Sequence, residues 1–457
     1  MSRLARALGL APDDLAPVAR LGAVHAALGA ATAAADALVQ ASFLARVGAD
    51  ALPWVLVLRA GLSPLAAAVY ARAGRRATAP VLAALAVLGG AVVATLPLTM
   101  GLGAAGLIGA YAAHEIASSL LTMHWGVYLL DHLEGARARR AVAPVYAAAR
   151  GGAALAGVAL GLLVPALGAR PVLVAAGALY LLLVPLAWLP RRHAEAVPLA
   201  LDPSEPDEAP ARGARRGWAL LRRSPLLGAL AAATVLLVLV RILLRYRQQA
   251  ILDALSEGEL VALLGWYAAG ANVAGVALQL LITGRVLGRL GVGRTNLLYA
   301  GATLLTHVGL AFGGGQLGWA LAARFADGEL KHALKTPVSP LFYDAFWGAD
   351  RVRARAFVLG AVSPAAQLAG ALALGALVAH PATAGWAAGA GISLAALYVG
   401  VSAWQARAYD AARARGSLRP RGGIGDPLPA GSVEGGPGPA EGGRADGDAK
   451  GERENGT

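Results

Sequence analysis

The chain has 457 residues, of which 57% are apolar and 15% charged, with a formal net charge of +13. Soluble globular chains carry roughly 45–50% apolar and about 25% charged residues, so no water-facing fold would bury this excess. The 59 Gly follow no triplet period and no heptads persist, which excludes collagen-like and coiled-coil forms; with no cysteine, disulfides, thiolate metal sites and thiol nucleophiles are excluded too.

Residues 1–20 carry Arg3 and Arg6 without a compact apolar core ending in a cleavage site, so they read as a cytoplasmic amphipathic lead-in and not as a signal peptide. A membrane-spanning helix needs about 20 consecutive apolar residues. Runs of that kind predict helices over 21–45, 51–71, 79–98, 103–130, 144–166 and 170–189. Composition then changes abruptly. Residues 191–217, centred on Asp202-Pro203-Ser204-Glu205-Pro206-Asp207-Glu208, form a polar linker with nothing to bury. Six more helices are predicted over 225–245, 259–283, 296–314, 316–335, 355–379 and 383–405. The remainder, 407–457, holds 13 Gly and 5 Pro without a period, the composition of a disordered tail.

The expected fold is an all-α membrane protein of 12 transmembrane helices in two six-helix halves, 1–190 and 218–406, joined by a cytoplasmic linker at 191–217 and followed by a cytoplasmic tail at 407–457. With the N-terminus inside, 33 of the 40 Lys and Arg fall on the cytoplasmic side, as the positive-inside rule requires. Both termini are therefore expected in the cytoplasm, and the net charge describes orientation; no nucleic-acid partner is expected. The turn Arg72-Ala73-Gly74-Arg75-Arg76-Ala77-Thr78 is echoed by Arg289-Leu290-Gly291-Val292-Gly293-Arg294-Thr295, at the same place in each half. Repeated halves are a common construction in transporters.

Ionisable residues within a span are costly and face a bundle interior or a water-filled cavity. The first helix carries His25, Thr32, Asp36 and Gln40 along one stripe. The fourth carries Tyr111, Glu115, Ser118, Ser119 and Thr122 on one face, with His114 beside them. Glu115 needs either a proton or a cation from another helix, and Arg59, at similar depth in the second helix, is the nearest candidate. His124 falls on the opposite side of its helix and reads as a packed histidine. His114-Glu115 starts an HExxH-like pattern that fails at Ser118, so no zinc site is expected. In the eighth helix Asn272 lies on a small, polar face with Gly265, Gly275, Gln279 and Thr283, which suits helix packing as well as a cavity. The tenth presents Arg324, Asp327 and Lys331, spaced for mutual neutralisation, with Glu329 and His332 close around it. Arg241 and Arg245 sit at the predicted outer mouth, where snorkelling to the interface competes with a funnel for anions.

Six helices, a linker and six helices, with the basic Arg72–Arg76 turn, resemble the major facilitator superfamily. The chain is more similar to bacterial relatives of the ADP/ATP nucleotide translocases, through Asp36-Ala37-Leu38, Val47-Gly48-Ala49-Asp50-Ala51-Leu52-Pro53, Ser224-Pro225-Leu226-Leu227, Tyr246-Arg247-Gln248, Arg285–Gly291 and Arg351–Phe357. The translocases have a Lys immediately before the helix-1 Asp; this chain has Ala35. The resemblance implies alternating access and residence in a bacterial inner membrane.

The expected function is secondary active transport of a small anionic solute, such as a nucleotide or phosphorylated metabolite, by a monomer in the lipid bilayer. The expected cavity residues are Asp36, Gln40, Arg59, Glu115, Arg241, Asn272, Arg324, Asp327 and Lys331. Two alternatives stand beside it: a proton-coupled exporter of apolar or cationic compounds using Asp36 and Glu115, and a non-transporting scaffold or sensor. Neither an enzymatic activity nor a cofactor is expected.

Overall fold

The computed structural model describes residues 11–73, 78–133, 135–190, 218–346, 348–380 and 385–417. The linker at 191–217, most of the tail and the centre of the Arg72–Thr78 turn thus lie outside the described residues. The chain divides into two units, 1–414 and 415–457. In the second, only 415–417 are described, as the end of a helix.

Ala-, Leu- and Val-rich runs with few charges become helices. In the first half these are α1 (Leu15–Val47), α2 (Leu52–Ala73), α3 (Thr78–Ala94), α4 (Gly103–Leu130), α5 (Gly135–Leu167) and α6 (Ala169–Leu186). In the second half they are α7 (Pro225–Leu252), α8 (Glu257–Leu278), α9 (Gly284–Phe312), α10 (Leu317–Phe325), α11 (Ser363–Val378) and α12 (Trp386–Ser417). A π-helical turn, Gln279–Thr283, joins α8 to α9, and a longer π-helical stretch, Ala326–Lys335, continues α10. Eight helical runs among the described residues are long and apolar enough to cross a membrane, counting 257–312 as one. Large apolar side chains such as Leu155, Val174, Leu280 and Phe312 are at least 72% exposed. So much exposed apolar surface needs lipid around it.

Local chemistry sets the helix ends. Ser224 caps α7 by accepting from the Leu227 amide at 3.3 Å, with Pro225 in the first turn where a missing N–H costs nothing. Ser256 and Glu259 form a reciprocal capping box at the start of α8. Gly291, at φ 73°, breaks α9 at the basic turn; a side chain there would be strained.

Several boundaries differ from the sequence reading. α1 begins at Leu15, inside the expected lead-in, because the preceding Asp14 is buried and ion-paired to Arg140 of α5 at 2.8 Å. The third helix stops at Ala94, and a separate short helix, Leu96–Met100, follows with Pro97 in its first turn. α12 runs to Ser417, past the expected start of the disordered tail at 407. The tenth helix stays helical through Lys335, but in the wider π form.

Within the first half, α1 packs on α5, α6 and α4, and α3 packs on α6 and α4. Across the halves, α8 packs on α5 and on α1, and α11 packs on α2. Between α5 and α8 the backbones nearly touch: a Cβ on Gly265 would lie 2.7 Å from the Gly157 carbonyl oxygen. Small residues permit this approach in membrane helices.

Candidate functional site: a charged cavity between the halves

A cavity of about 380 Å³ opens between the two halves. Its polar lining comes from helical spacing. α7 turns Arg241, Arg245, Gln248 and Gln249 to one face, at i, i+4, i+7 and i+8. α4 adds Tyr111 and Glu115, α1 adds Asp36 and Gln40, and α2 adds Arg59. Arg324 comes from α10, Asp327 from the π-helical stretch, and Ser363 and Gln367 from α11.

The charges are paired in a definite pattern. Glu115 is clasped by two guanidiniums: Arg59 donates to Oε2 at 2.9 Å, and Arg245 of the other half donates to Oε1 at 2.5 Å. Arg245 also donates to the Tyr111 hydroxyl at 2.7 Å and lies over that ring, 5.5 Å from its centroid. The Tyr111 hydroxyl accepts again from Gln249 at 3.2 Å. Arg241 grips Asp327 with two nitrogens, one of them 3.1 Å from Oδ2. Asp36 meets no arginine among the described residues; its Oδ1 lies 2.6 Å from Nε2 of the buried His114, and its side chain is 56% exposed to the cavity. Arg324 meets no carboxylate among the described residues. Its Nη1 donates to Gln40 Oε1 at 2.7 Å, and its guanidinium lies 5.4 Å from the Tyr267 ring centroid.

Of the nine residues expected to line the site, Asp36, Gln40, Arg59, Glu115, Arg241, Arg324 and Asp327 surround this one cavity. Asn272 and Lys331 are not among the lining residues. The Asn272 amide donates at 2.8 Å to the Ala268 carbonyl of its own helix, and Lys331 is half-buried on the π-helical stretch. Arg324–Asp327 neutralisation does not form: π-helical winding begins at Ala326, between the two residues, and Asp327 is held by Arg241. Arg241 and Arg245 do not snorkel; opposing carboxylates draw both inward. His124 is packed as expected, between the Tyr70 hydroxyl at 2.9 Å and the Thr78 carbonyl at 2.8 Å.

Sequence reasoning placed Gln248 on the face of Arg241 and Arg245, but missed Tyr267, Gln249 and the Arg150–Glu329 ion pair that joins α5 to the π-helical stretch beside Gly275. Arg150 lies inside the helix predicted at 144–166, but nothing local in the sequence points it at Glu329, 179 residues away. His114 was visible beside Glu115, but its partner on α1 was not.

The end of the molecule where α1 turns into α2 is tied to the turn between α7 and α8. Ser42 and Arg46 donate to Glu257 at 2.8 and 3.0 Å, the Ala49 amide donates to Asp253 at 3.3 Å, and the Tyr246 hydroxyl donates to Asp50 at 2.8 Å. Among the described residues, no group of three or more His, Asp or Glu is placed to hold a metal ion.

No protein-family model matches the sequence, and no curated protein matches it. Solved structures do match the fold. A mutant of the nucleoside transporter NupG superposes with TM-score 0.60 at 13% identity, over 87% of this chain and 99% of that one. A bacterial homologue of the iron transporter ferroportin, in an inward-facing state, gives 0.57 at 15% identity, over 85% and 98%. The inward-open xylose transporter XylE from E. coli gives 0.53 at 14% identity, over 83% and 94%. The fold is that of the major facilitator transporters. A specific likeness to the ADP/ATP translocases is not among these findings.

Proposed function

We propose that the protein is a secondary transporter that moves a small anionic solute across a membrane by alternating access of the central cavity. The observation that carries the reading is Arg324. It is a guanidinium facing a membrane-embedded cavity, held by an amide oxygen and an aromatic face, with no carboxylate partner among the described residues. An unneutralised cation in such a place is costly unless an anion completes it. The cavity as a whole carries four arginines against three carboxylates, a surplus of one positive charge.

Size and charge limit the cargo. A volume of about 380 Å³ is near the lower end of the range for small-molecule pockets, roughly 300–1,000 Å³. A single surplus charge suits a carboxylate or a phosphate monoester better than a nucleoside triphosphate. Ala35, standing where the translocases carry a Lys, agrees with that. The major facilitator fold of the nucleoside, iron and xylose transporters supports the transport mechanism and leaves the solute open. Export of cations fits poorly with four arginines at the site.

The test is uptake into proteoliposomes of labelled lactate, inorganic phosphate, AMP, ADP and ATP. Saturable uptake of a singly or doubly charged anion, lost in Arg324→Gln, is expected. If none of these anions is moved, or Arg324→Gln moves them as well as the parent, the anion reading fails.

A further inference from the structure

With the other cavity charges paired, one carboxylate and one guanidinium remain. No arginine holds Asp36, and no carboxylate holds Arg324, among the described residues. We propose that the cargo is an anion that also carries an ammonium group, its anionic end held by Arg324 and its ammonium by Asp36. This deepens the transport reading above and rests on it.

The two free charges face one cavity and are linked through α1. Gln40 stands one turn after Asp36, and its Oε1 accepts from Arg324 at 2.7 Å. Four residues of α-helix advance by about 6 Å. A short carbon chain therefore spans from one charge to the other. His114 holds the Asp36 carboxylate by one oxygen only: Nε2 lies 2.6 Å from Oδ1, and the side chain is 56% exposed to the cavity. Oδ2 makes no hydrogen bond among the described residues, so it is open to a donor on the cargo. Two more groups in the same lining lack partners among the described residues, Gln248 Nε2 and Gln249 Oε1, on residues at most 5% exposed. Buried polar atoms are nearly always satisfied, so this spare donor and spare acceptor point to a polar ligand.

Charge separates a plain anion from an ammonium-bearing one. A plain anion at Arg324 would sit near the bare carboxylate of Asp36, and like charges repel strongly where water is scarce. Arg59 and Arg245 are turned to Glu115, and Arg241 to Asp327, so none of them covers Asp36. An ammonium on the cargo turns that repulsion into an ion pair. The totals agree as well. Four arginines and three carboxylates leave one positive charge on the cavity. A cargo with one ammonium and two negative charges brings one negative charge to it. Aminoalkyl phosphates and amino dicarboxylates share that composition, and both suit a volume of about 380 Å³.

The test is calorimetric binding to the purified full-length protein in detergent at neutral pH. Two matched pairs are compared: O-phosphoethanolamine with ethyl phosphate, and glutamate with glutarate. Within each pair only the ammonium differs. In at least one pair the ammonium-bearing member is expected to bind about tenfold or more tightly than its partner, the effect of one hydrogen bond to a charged group. Which pair shows the preference distinguishes phosphate from carboxylate. Asp36→Asn should weaken the ammonium-bearing member, tighten the plain anion and bring their ratio to within about threefold. Arg324→Gln should weaken both members. Because the ratio is taken within one protein, a general loss of affinity does not imitate it; if Asp36→Asn does not fold, Asp36→Ser serves the same comparison. Equal binding of both members of each pair by the parent overturns the ammonium site and leaves the anion reading standing. A preference that survives the loss of the Asp36 carboxylate overturns its assignment to that residue. Binding of none of the four overturns this proposal and the anion reading together.

Discussion

Glu115 on α4 and Arg245 on α7 meet across the cavity with carboxylate oxygen and guanidinium nitrogen 2.5 Å apart, joining the first half of the chain to the second. Because Glu115 also holds Arg59, and Asp327 holds Arg241, three of the four cavity arginines are spoken for. The residues left over are Asp36 and Arg324, one in each half, and the proposed chemistry falls on them.

Replacing Arg324 by Gln keeps a hydrogen-bond donor and removes the charge. A hydrogen bond to a charged group contributes about 1.5–3 kcal/mol, so solute affinity should fall roughly 10- to 150-fold. The melting temperature should change little, since no carboxylate is stranded among the described residues. Arg324→Lys restores the charge without the planar fork and should recover only part of the affinity. Initial uptake rates across solute concentrations, with a parallel melting curve, separate these outcomes.

Glu115→Gln behaves differently, because it leaves two guanidiniums without a carboxylate. Removing one partner of a buried pair costs about 3–5 kcal/mol, and water in the cavity places this case at or below the lower end. The melting temperature should drop clearly. The double variant Glu115→Gln/Arg245→Gln should be less destabilised than the sum of the two single changes. Additive losses would show that the 2.5 Å contact carries no coupling.

The contacts at the α1–α2 turn can be read as a closure between the halves, and the absence of native cysteine makes single-cysteine reporters clean. Ala49 is 1% exposed beneath Asp253. In Ala49→Cys, labelling by a membrane-impermeant maleimide should be slow. Adding Asp253→Asn and Glu257→Gln should speed it several-fold, because exposed ion pairs such as Arg46–Glu257 contribute at most about 1 kcal/mol each. An unchanged rate would mean that these contacts do not hold the end closed.

The α5–α8 seam depends on its glycines. Gly157→Ala puts a methyl against the Gly265 carbonyl and should destabilise by about 1–3 kcal/mol, the usual range for overpacking. Gly270→Ala, on α8 but with open space at its Cβ, should leave the melting temperature unchanged or raise it. Equal effects of the two changes would remove the argument for close backbone contact.

Much of this was legible without coordinates. Length of apolar run, capping residues and turn glycines act within a few residues of where they stand, so the helix at 103–130 was readable at both ends and the one at 225 at its start, whereas the helices predicted to end at 245 and to begin at 296 run on to Leu252 and start at Gly284. Asp36, Arg59 and Glu115 stood out because a charge inside an apolar run is expensive wherever it points. The pairing of Arg59 with Glu115 followed from equal depth on neighbouring helices. The π-helical stretch at 326–335 was not legible, because it takes the same residues as an α-helix and differs only in hydrogen-bond register.

Arg241 and Arg245 mark the boundary between the two kinds of information. Their local sequence, a basic pair near the end of an apolar helix, is equally compatible with snorkelling to the interface and with turning inward. The choice belongs to Asp327, 86 residues away, and Glu115, 130 residues away, which packing brings within hydrogen-bonding distance. Composition and periodicity alone therefore established a helical membrane protein and singled out Asp36, Arg59 and Glu115 as charges inside apolar runs. Only tertiary contact decided which of those charges cancel, because ion pairing depends on distance in space, and spacing along the chain does not encode it.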